Sequence, residues 1–203
     1  VRYRPGKRCT FRLPRGSGLY VKALGDDRGE GILRDARLLW QAGQQGQLGF
    51  AVARPGGWLP GMRMIVHHAI DGSPVEQTLR GPQGAVLAAR MGVANATLAA
   101  SGLRPELCYG YDWQLKRTAK YAKRIGKRLP AAGPALRRIM ARLGYVVSGK
   151  PPRPIHGARH LHQWLIAGDR LGLVDFDRFG LGDPELDVAT FLAEADFEDS
   201  FDG

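Results

Sequence analysis

The chain has 203 residues and a mass of 22.2 kDa, with 44% hydrophobic and 24% charged residues, which excludes a disordered protein and fits one domain or two small lobes with a real core. Thirty Lys and Arg against nineteen Asp and Glu leave a net charge of +11, which favours acidic partners: nucleic acid, a phosphorylated ligand or an anionic surface. No uncharged apolar run approaches the roughly 18 residues of a membrane span, the basic opening VRYRPGKR has no apolar stretch of a secretory leader behind it, and Cys9 and Cys108 form no CxxC pair, so a disulfide scaffold and a zinc ribbon are excluded and a cytoplasmic protein is expected.

Residues 1–24 read as strands. Cys9, Phe11 and Leu13 alternate with Arg8, Thr10 and Arg12, and Leu19, Val21 and Ala23 alternate with Tyr20 and Lys22; the turn cluster 14–18 between them predicts an antiparallel hairpin. Pro5-Gly6 marks an earlier tight turn. Ile32, Leu33, Ala36, Leu39 and Trp40 predict a helix over residues 30–44, stopped by Gly43. Two short apolar runs follow over residues 48–70, broken at Pro55-Gly56-Gly57 and at Pro60-Gly61. Beyond Gly81 the pattern becomes helical: an Ala-rich helix over 83–101, a basic one over 112–128 and another over 134–147. Lys116 to Lys127 carries no acid at all, whereas Arg178 to Gly203 has one basic residue and eight acidic ones. The plain reading of the basic stretch is a solvated helix face without aromatic interleaving. Pro151-Pro152-Arg153-Pro154 predicts a stiff extended linker. Two short strands joined by Gly168-Asp169 come next, then a final helix from about Pro184. The organisation is a β-rich lobe over 1–71 and a mainly helical lobe with a late hairpin over 72–203.

The chemistry concentrates in residues 155–192, IHGARHLHQWLIAGDRLGLVDFDRFGLGDPELDVATFL. Asp175 and Asp177 close an apolar strand, a natural place for oxygen ligands of a hard cation. Gln163 stands twelve residues before Asp175, and the Gly-Asp turn folds the two positions together. An amide oxygen beside a carboxylate suits a metal that bridges phosphates.

These residues, His156-Gly157-Ala158, then Gln163, then Val174-Asp175-Phe176-Asp177, then Gly182-Asp183-Pro184-Glu185-Leu186-Asp187, resemble the signature of the aminoglycoside phosphotransferase and choline kinase-like family. The resemblance implies an α+β, protein-kinase-like fold: a small antiparallel β lobe with one helix and a mainly helical large lobe, here truncated or open at its C-terminal end. It implies transfer of the terminal phosphoryl group of ATP or GTP, with Mg²⁺, to a hydroxyl of a small molecule, a cationic one among the candidates. It places Asp175 and Gln163 on the metal and Lys22 on the nucleotide phosphates. Glu30, with Asp35 as the other candidate, would be the helix partner of that lysine. Gly6 lies in the turn over the phosphates, and the backbone of His68 and Ile70 in the hinge that meets the purine. Asp187 is expected to be a buried brace of the catalytic loop, and His156 a packing and hydrogen-bonding residue of that loop behind Asp175. Asp177 is left open between a second metal contact and a solvated carboxylate.

The chain departs from the family at one important place. The catalytic aspartate of the family falls on Ala158, which can accept no proton. Three readings stand: a nucleotide-binding pseudokinase, another base in the same loop (His160 or His162), or an engineered alanine. A basic nucleic-acid- or lipid-headgroup-binding protein using residues 116–142 is the reading from another class; the chain carries no RNA-binding signature to support it.

Overall fold

The computed structural model describes residues 1–6, 8–14, 18–144, 151–157 and 160–199. The N-terminal strands β1 (Arg2–Arg4), β2 (Arg8–Arg12) and β3 (Leu19–Leu24) follow the predicted alternation and lead into α1 (Gly29–Gln44). After β4 (Ala51–Val52), the strands β5 (Pro55–Leu59) and β6 (Met64–His68) complete an antiparallel sheet in the order β1-β2-β3-β6-β5. Pro55-Gly56-Gly57, expected to interrupt the strand, lies inside β5. The edge position needs no proline N–H, and the register slips between Pro55 and Gly57 to absorb the extra residue. A Cβ on Gly56 would stand 3.0 Å from the Val66 backbone oxygen, so the close approach selects glycine.

The second half begins with β7 (Ser73–Pro74) and the one-turn α2 (Glu76–Leu79), neither evident in the sequence, and continues with α3 (Gly84–Ala100), α4 (Tyr111–Arg128) and α5 (Gly133–Gly144). The expected extension of α5 to residue 147 lies outside the described residues. The proline-rich linker is in part a strand, β8 (Arg153–Ile155), which pairs antiparallel with β11 (Gly180–Gly182). Between them lies the predicted hairpin, β9 (Trp164–Ala167) and β10 (Arg170–Leu173), and α6 (Pro184–Asp199) closes the chain. The hairpin is the centre of a second sheet ordered β4-β10-β9-β7, in which β4 pairs parallel with β10. A strand from the first 71 residues thus joins the sheet that carries the hairpin.

Packing follows the same arrangement. A small cluster of Leu24, Ile32, Leu33 and Ile65 with Trp58 fastens α1 to the first sheet. The main core starts at Leu39 and Ala42 of the same helix, takes in Phe50 and Val52, and continues through Leu87, Met91, Leu98, Trp164, Leu173 and Phe179. Leu173, wholly buried two residues before Asp175, adds about 2 kcal/mol by burial and fixes the end of the strand. No helix of the described residues is long and apolar enough to cross a membrane.

The basic helix α4 buries no residue, but its exposed face is not purely charged. Trp113 and Tyr121 stand about two turns apart with Arg117 between them, its guanidinium 5.1 Å from the first ring centre and 5.7 Å from the second. Aromatic rings therefore alternate with cations here, contrary to expectation. The spacing 113, 117, 121 is one helical face, and the aromatic pair is spread too thinly through the sequence to stand out.

Candidate functional site

The geometry of the site begins with strand register. Arg8 and Thr10 of β2 lie opposite Leu24 and Lys22 of β3, and Tyr20 of β3 lies opposite His67 of β6. With period-2 alternation, Arg8, Thr10, Tyr20, Lys22 and His67 share one face of the sheet. Below that face a cleft of about 800 Å³ is lined by these residues, by Ile32, Ala36 and Leu39 of α1, and by Glu76, His162, Gln163, Asp175 and Asp177.

Four charged side chains meet in this cleft. The Lys22 ammonium donates to Asp175 Oδ1 and Asp177 Oδ1, both at 2.6 Å. The Arg8 guanidinium donates to Asp177 Oδ2 at 2.8 Å and to both Asp175 oxygens at 3.1 Å. Burial alone would push the Asp175 carboxyl up, but Lys22 and Arg8 outweigh it and hold the group well below the usual carboxylate range. Burial likewise opposes the charge on Lys22, and Asp177 with Asp175 reverses this, so its pKa is raised. Asp175 has φ of 70°, a left-handed conformation that a non-glycine residue adopts at some cost, and its ion pairs hold it there.

The loop that follows β8 is braced from behind. Buried Asp187 accepts the His156 N–H at 2.7 Å and the Gly157 N–H at 3.0 Å. The His156 ring, wholly buried, pairs through Nε2 with the Val174 carbonyl at 3.0 Å and packs on Phe176, 4.5 Å between ring centres. It steadies the segment that carries Asp175 and does not line the cleft. Gly157 has φ of 79°, and a Cβ there would stand 2.2 Å from the Arg178 carbonyl oxygen, so only glycine lets the loop approach so closely. Ala158 lies outside the described residues.

Other expected positions fall as follows. Gln163 sits beside Asp175, but its amide oxygen accepts the His160 N–H at 2.7 Å and its amide nitrogen faces Asp175 Oδ2 at 3.5 Å. A backbone donor requires the oxygen on its side, so the longer glutamine arm folds back to cap the loop and turns its nitrogen toward the carboxylate. Glu30 is exposed in the first turn of α1; Lys22 is bonded to Asp175 and Asp177 instead. Asp35 is buried, but Arg34 of the same helix holds it at 3.2 Å. The face of α1 that meets the cleft is apolar, so the lysine takes its counter-charge from across the cleft. The Gly6 turn has φ of 66°. At the end of β6, where the hinge is expected, the His68 N–H donates to Arg54 O at 2.9 Å and the Ala69 N–H to Gly18 O at 2.6 Å, while Ile70 lines the cleft. His160 turns to Glu194 of α6, 3.0 Å away, and His162 pairs with Glu76 at the cleft.

Three cleft residues escaped the sequence reading. Arg8 looked like the polar half of a strand alternation. Glu76 sits on an unpredicted single turn; its Oε2 is buried with no hydrogen-bond partner among the described residues. His67 precedes the expected hinge residue His68, and its Nε2 is buried in the same partnerless state. Burial first, and then Lys22, lower the His67 pKa from 6.5 to about 4. The unfolded chain takes up this proton near pH 6.5 and the folded one only near 4, so stability should rise with pH across that window, by at most about 1.4 kcal/mol per pH unit. Urea titrations at pH 4.5, 5.5 and 6.5 check this: in His67→Leu the slope should flatten, and an unchanged slope would assign it to other groups.

Among the described residues no three His, Cys, Asp or Glu side chains gather into a metal cage. The donor chemistry nevertheless fits Mg²⁺: two carboxylates whose oxygens converge on positive charge are what this ion takes from a protein when phosphates and water complete its shell.

Comparison with known proteins places the chain in a family and a fold. Residues 28–203 match the model of the phosphotransferase enzyme family, and no curated protein matches the chain. Among solved structures, a choline/ethanolamine kinase family protein from Mesorhizobium loti is 22% identical with a TM-score of 0.67, covering 94% of this chain and 62% of its own. The chain therefore spans less than two thirds of that relative's length. Aminoglycoside phosphotransferase APH(3'')-Id from Streptomyces rimosus is 18% identical with a TM-score of 0.62, covering 89% of this chain and 72% of its own. A ternary complex of APH(2'')-IIa with streptomycin and ATP is 17% identical with a TM-score of 0.62, covering 91% and 67%. These structures share the kinase-like fold, with its antiparallel N-terminal sheet and helical second half. With a family match over residues 28–203, most of its length, the chain belongs to the phosphotransferase enzyme family.

Proposed function

We propose that the chain binds a purine nucleoside triphosphate, ATP or GTP, with Mg²⁺ in the cleft, and transfers phosphate to a hydroxyl of a small molecule at a rate limited by the alanine at position 158. The observation that carries this reading is the convergence of Lys22 from β3 on Asp175 and Asp177 after β10. Asp175 and Asp177 would hold the metal, and Lys22 would meet the phosphates, its charge secured against burial by the two carboxylates. Mg²⁺, when bound, neutralises the charge of the phosphate oxygens. Gln163 orients Asp175 through its amide nitrogen, and Asp187 with His156 keeps the loop in register. The free oxygen of Glu76 suits a hydroxyl donor on the nucleotide. Phosphoryl transfer depends more on positioning and charge than on a base, so the loss of the aspartate lowers the rate without removing the site.

Ala158 favours a second reading, a protein that binds nucleotide without turnover. The acceptor proposed in either case is a small hydroxylated compound, and the two free cysteines, Cys9 and Cys108, suit a reducing cytoplasm. Calorimetric titration with ATP and GTP, with and without Mg²⁺, tests the site. Metal-dependent binding in the micromolar range is expected, and no binding by folded protein would overturn the reading. Phosphate transfer to hydroxylated acceptors then separates the enzyme from the silent binder.

A further inference from the structure

The cluster of Lys22, Asp175 and Asp177 has a fourth member, Arg8, which the signature read from the sequence does not include. Arg8 is the first residue of β2, one strand further from α1 than Lys22. Its side chain is 19% exposed, and its fork reaches both carboxylates at once. Between them, Arg8 and Lys22 contact all four carboxylate oxygens: Oδ1 and Oδ2 of Asp175, and Oδ1 and Oδ2 of Asp177. Two cations and two anions leave the cluster neutral. A divalent cation needs lone pairs on these same oxygens, so metal and guanidinium compete for them.

We propose that Arg8 is a ligand of the terminal phosphates: it caps Asp175 and Asp177 in the nucleotide-free protein and passes to phosphate oxygens when the metal–triphosphate enters. This rests on the reading of the cleft as a nucleotide site. The physical argument is one of charge. Once the metal takes the carboxylate oxygens, Arg8 would be a partly buried cation without a counter-ion, an expensive state. The only new anion in the cleft is the phosphate chain that arrives with the metal. The planar guanidinium fork matches two phosphate oxygens as well as it matches a carboxylate, so the arginine changes partner without losing its paired hydrogen bonds. Lys22, with three donors from a single point, can follow the phosphates without such a geometric demand. The proposal makes a phosphate-count signature: Arg8 should matter for a triphosphate, less for a diphosphate, and not for a monophosphate, whose single phosphate stays near the sugar.

The test is calorimetric titration of the full chain and of Arg8→Gln with Mg²⁺ and ATP, ADP and AMP, and with the guanosine series. Arg8→Gln should weaken triphosphate binding about 10- to 100-fold, the range of a lost charge-assisted pair, weaken diphosphate binding less, and leave the monophosphate unchanged. Equal weakening across the series would mean a general loss of the cleft and overturn the proposal. Tighter triphosphate binding would also overturn it, since Arg8 would then only block the aspartates. If the parent chain binds in a metal-dependent way and Arg8→Gln binds equally well, this proposal alone fails. If the parent binds no nucleotide, the functional reading fails and takes this one with it. Thermal melting checks that Arg8→Gln folds. Should it not, Arg8→Lys keeps the charge and removes the fork, and triphosphate affinity equal to the parent's would overturn the proposal.

Discussion

Asp175→Ala is expected to lose metal-dependent nucleotide binding, by at least about a hundredfold, because it removes one of the two carboxylates that converge on Lys22 and Arg8. The effect extends to stability. With Asp175 gone, Lys22 and Arg8 share Asp177 alone, and a largely buried ammonium loses half of its counter-charge. Breaking such a partly buried pair costs about 1–3 kcal/mol. The pH dependence gives a separate check. The Asp175 carboxyl is held far below its ordinary value of 3.8, so the folded state gains stability from it that is fully present above about pH 4 and is lost as the pH falls further. The variant should lack that acid-side loss. Titration calorimetry with and without Mg²⁺ and thermal melts between pH 3 and 7 measure both effects. Unchanged nucleotide affinity in folded Asp175→Ala would remove the aspartate from the site.

Ala158→Asp should raise phosphoryl transfer by about a hundredfold or more, the usual contribution of a positioned proton acceptor. The surroundings favour a gain. Immediately before position 158, the His156 and Gly157 amides are pinned by Asp187, and Gly157 packs against the Arg178 carbonyl, so the backbone that leads to the substituted position is fixed as far as Gly157. His160 is not placed to substitute, since it turns away to Glu194, and His162 is engaged by Glu76. Initial rates of nucleotide consumption with a hydroxylated acceptor, compared between the two proteins, give the result. If the variant binds nucleotide as the parent does and shows no gain, the acceptor site and not the missing base limits the reaction.

The two sets of expectations differ in how far they reach along the chain. Local rules were enough for the strand alternation of residues 8–13 and 19–24, the apolar stripe of α1, the Gly168-Asp169 hairpin and the helix after Pro184. Each is a pattern of side chains a few positions apart, and each forms where its own neighbours demand it. The same holds for the order of Lys22, His156, Gln163, Asp175 and Asp187, because a functional signature is written in residue types and spacing. Local rules failed where stability comes from a distant partner. Pro55 and two glycines sit in a strand because the edge of the sheet and Val66 accept them. Pro154 joins a strand because β11, some 26 residues later, offers a partner.

Which charges meet could be settled only in three dimensions. In sequence, Glu30 was as good a partner for Lys22 as any, but helical rotation turns Ile32 and Ala36 to the cleft and leaves Glu30 in solvent. Arg8 looked like one more polar residue of a half-buried strand until register set it on the same face as Lys22, over carboxylates 167 and 169 positions away. The burial that leaves His67 neutral and one oxygen of Glu76 unpartnered likewise depends on packing between segments far apart in sequence. The sequence by itself therefore determined the family, the order of the main elements and the candidate residues for the chemistry, since these follow from local pattern. The tertiary structure alone decided which of those residues are neighbours, because electrostatics and burial act through space and fall off over a few ångströms regardless of distance along the chain.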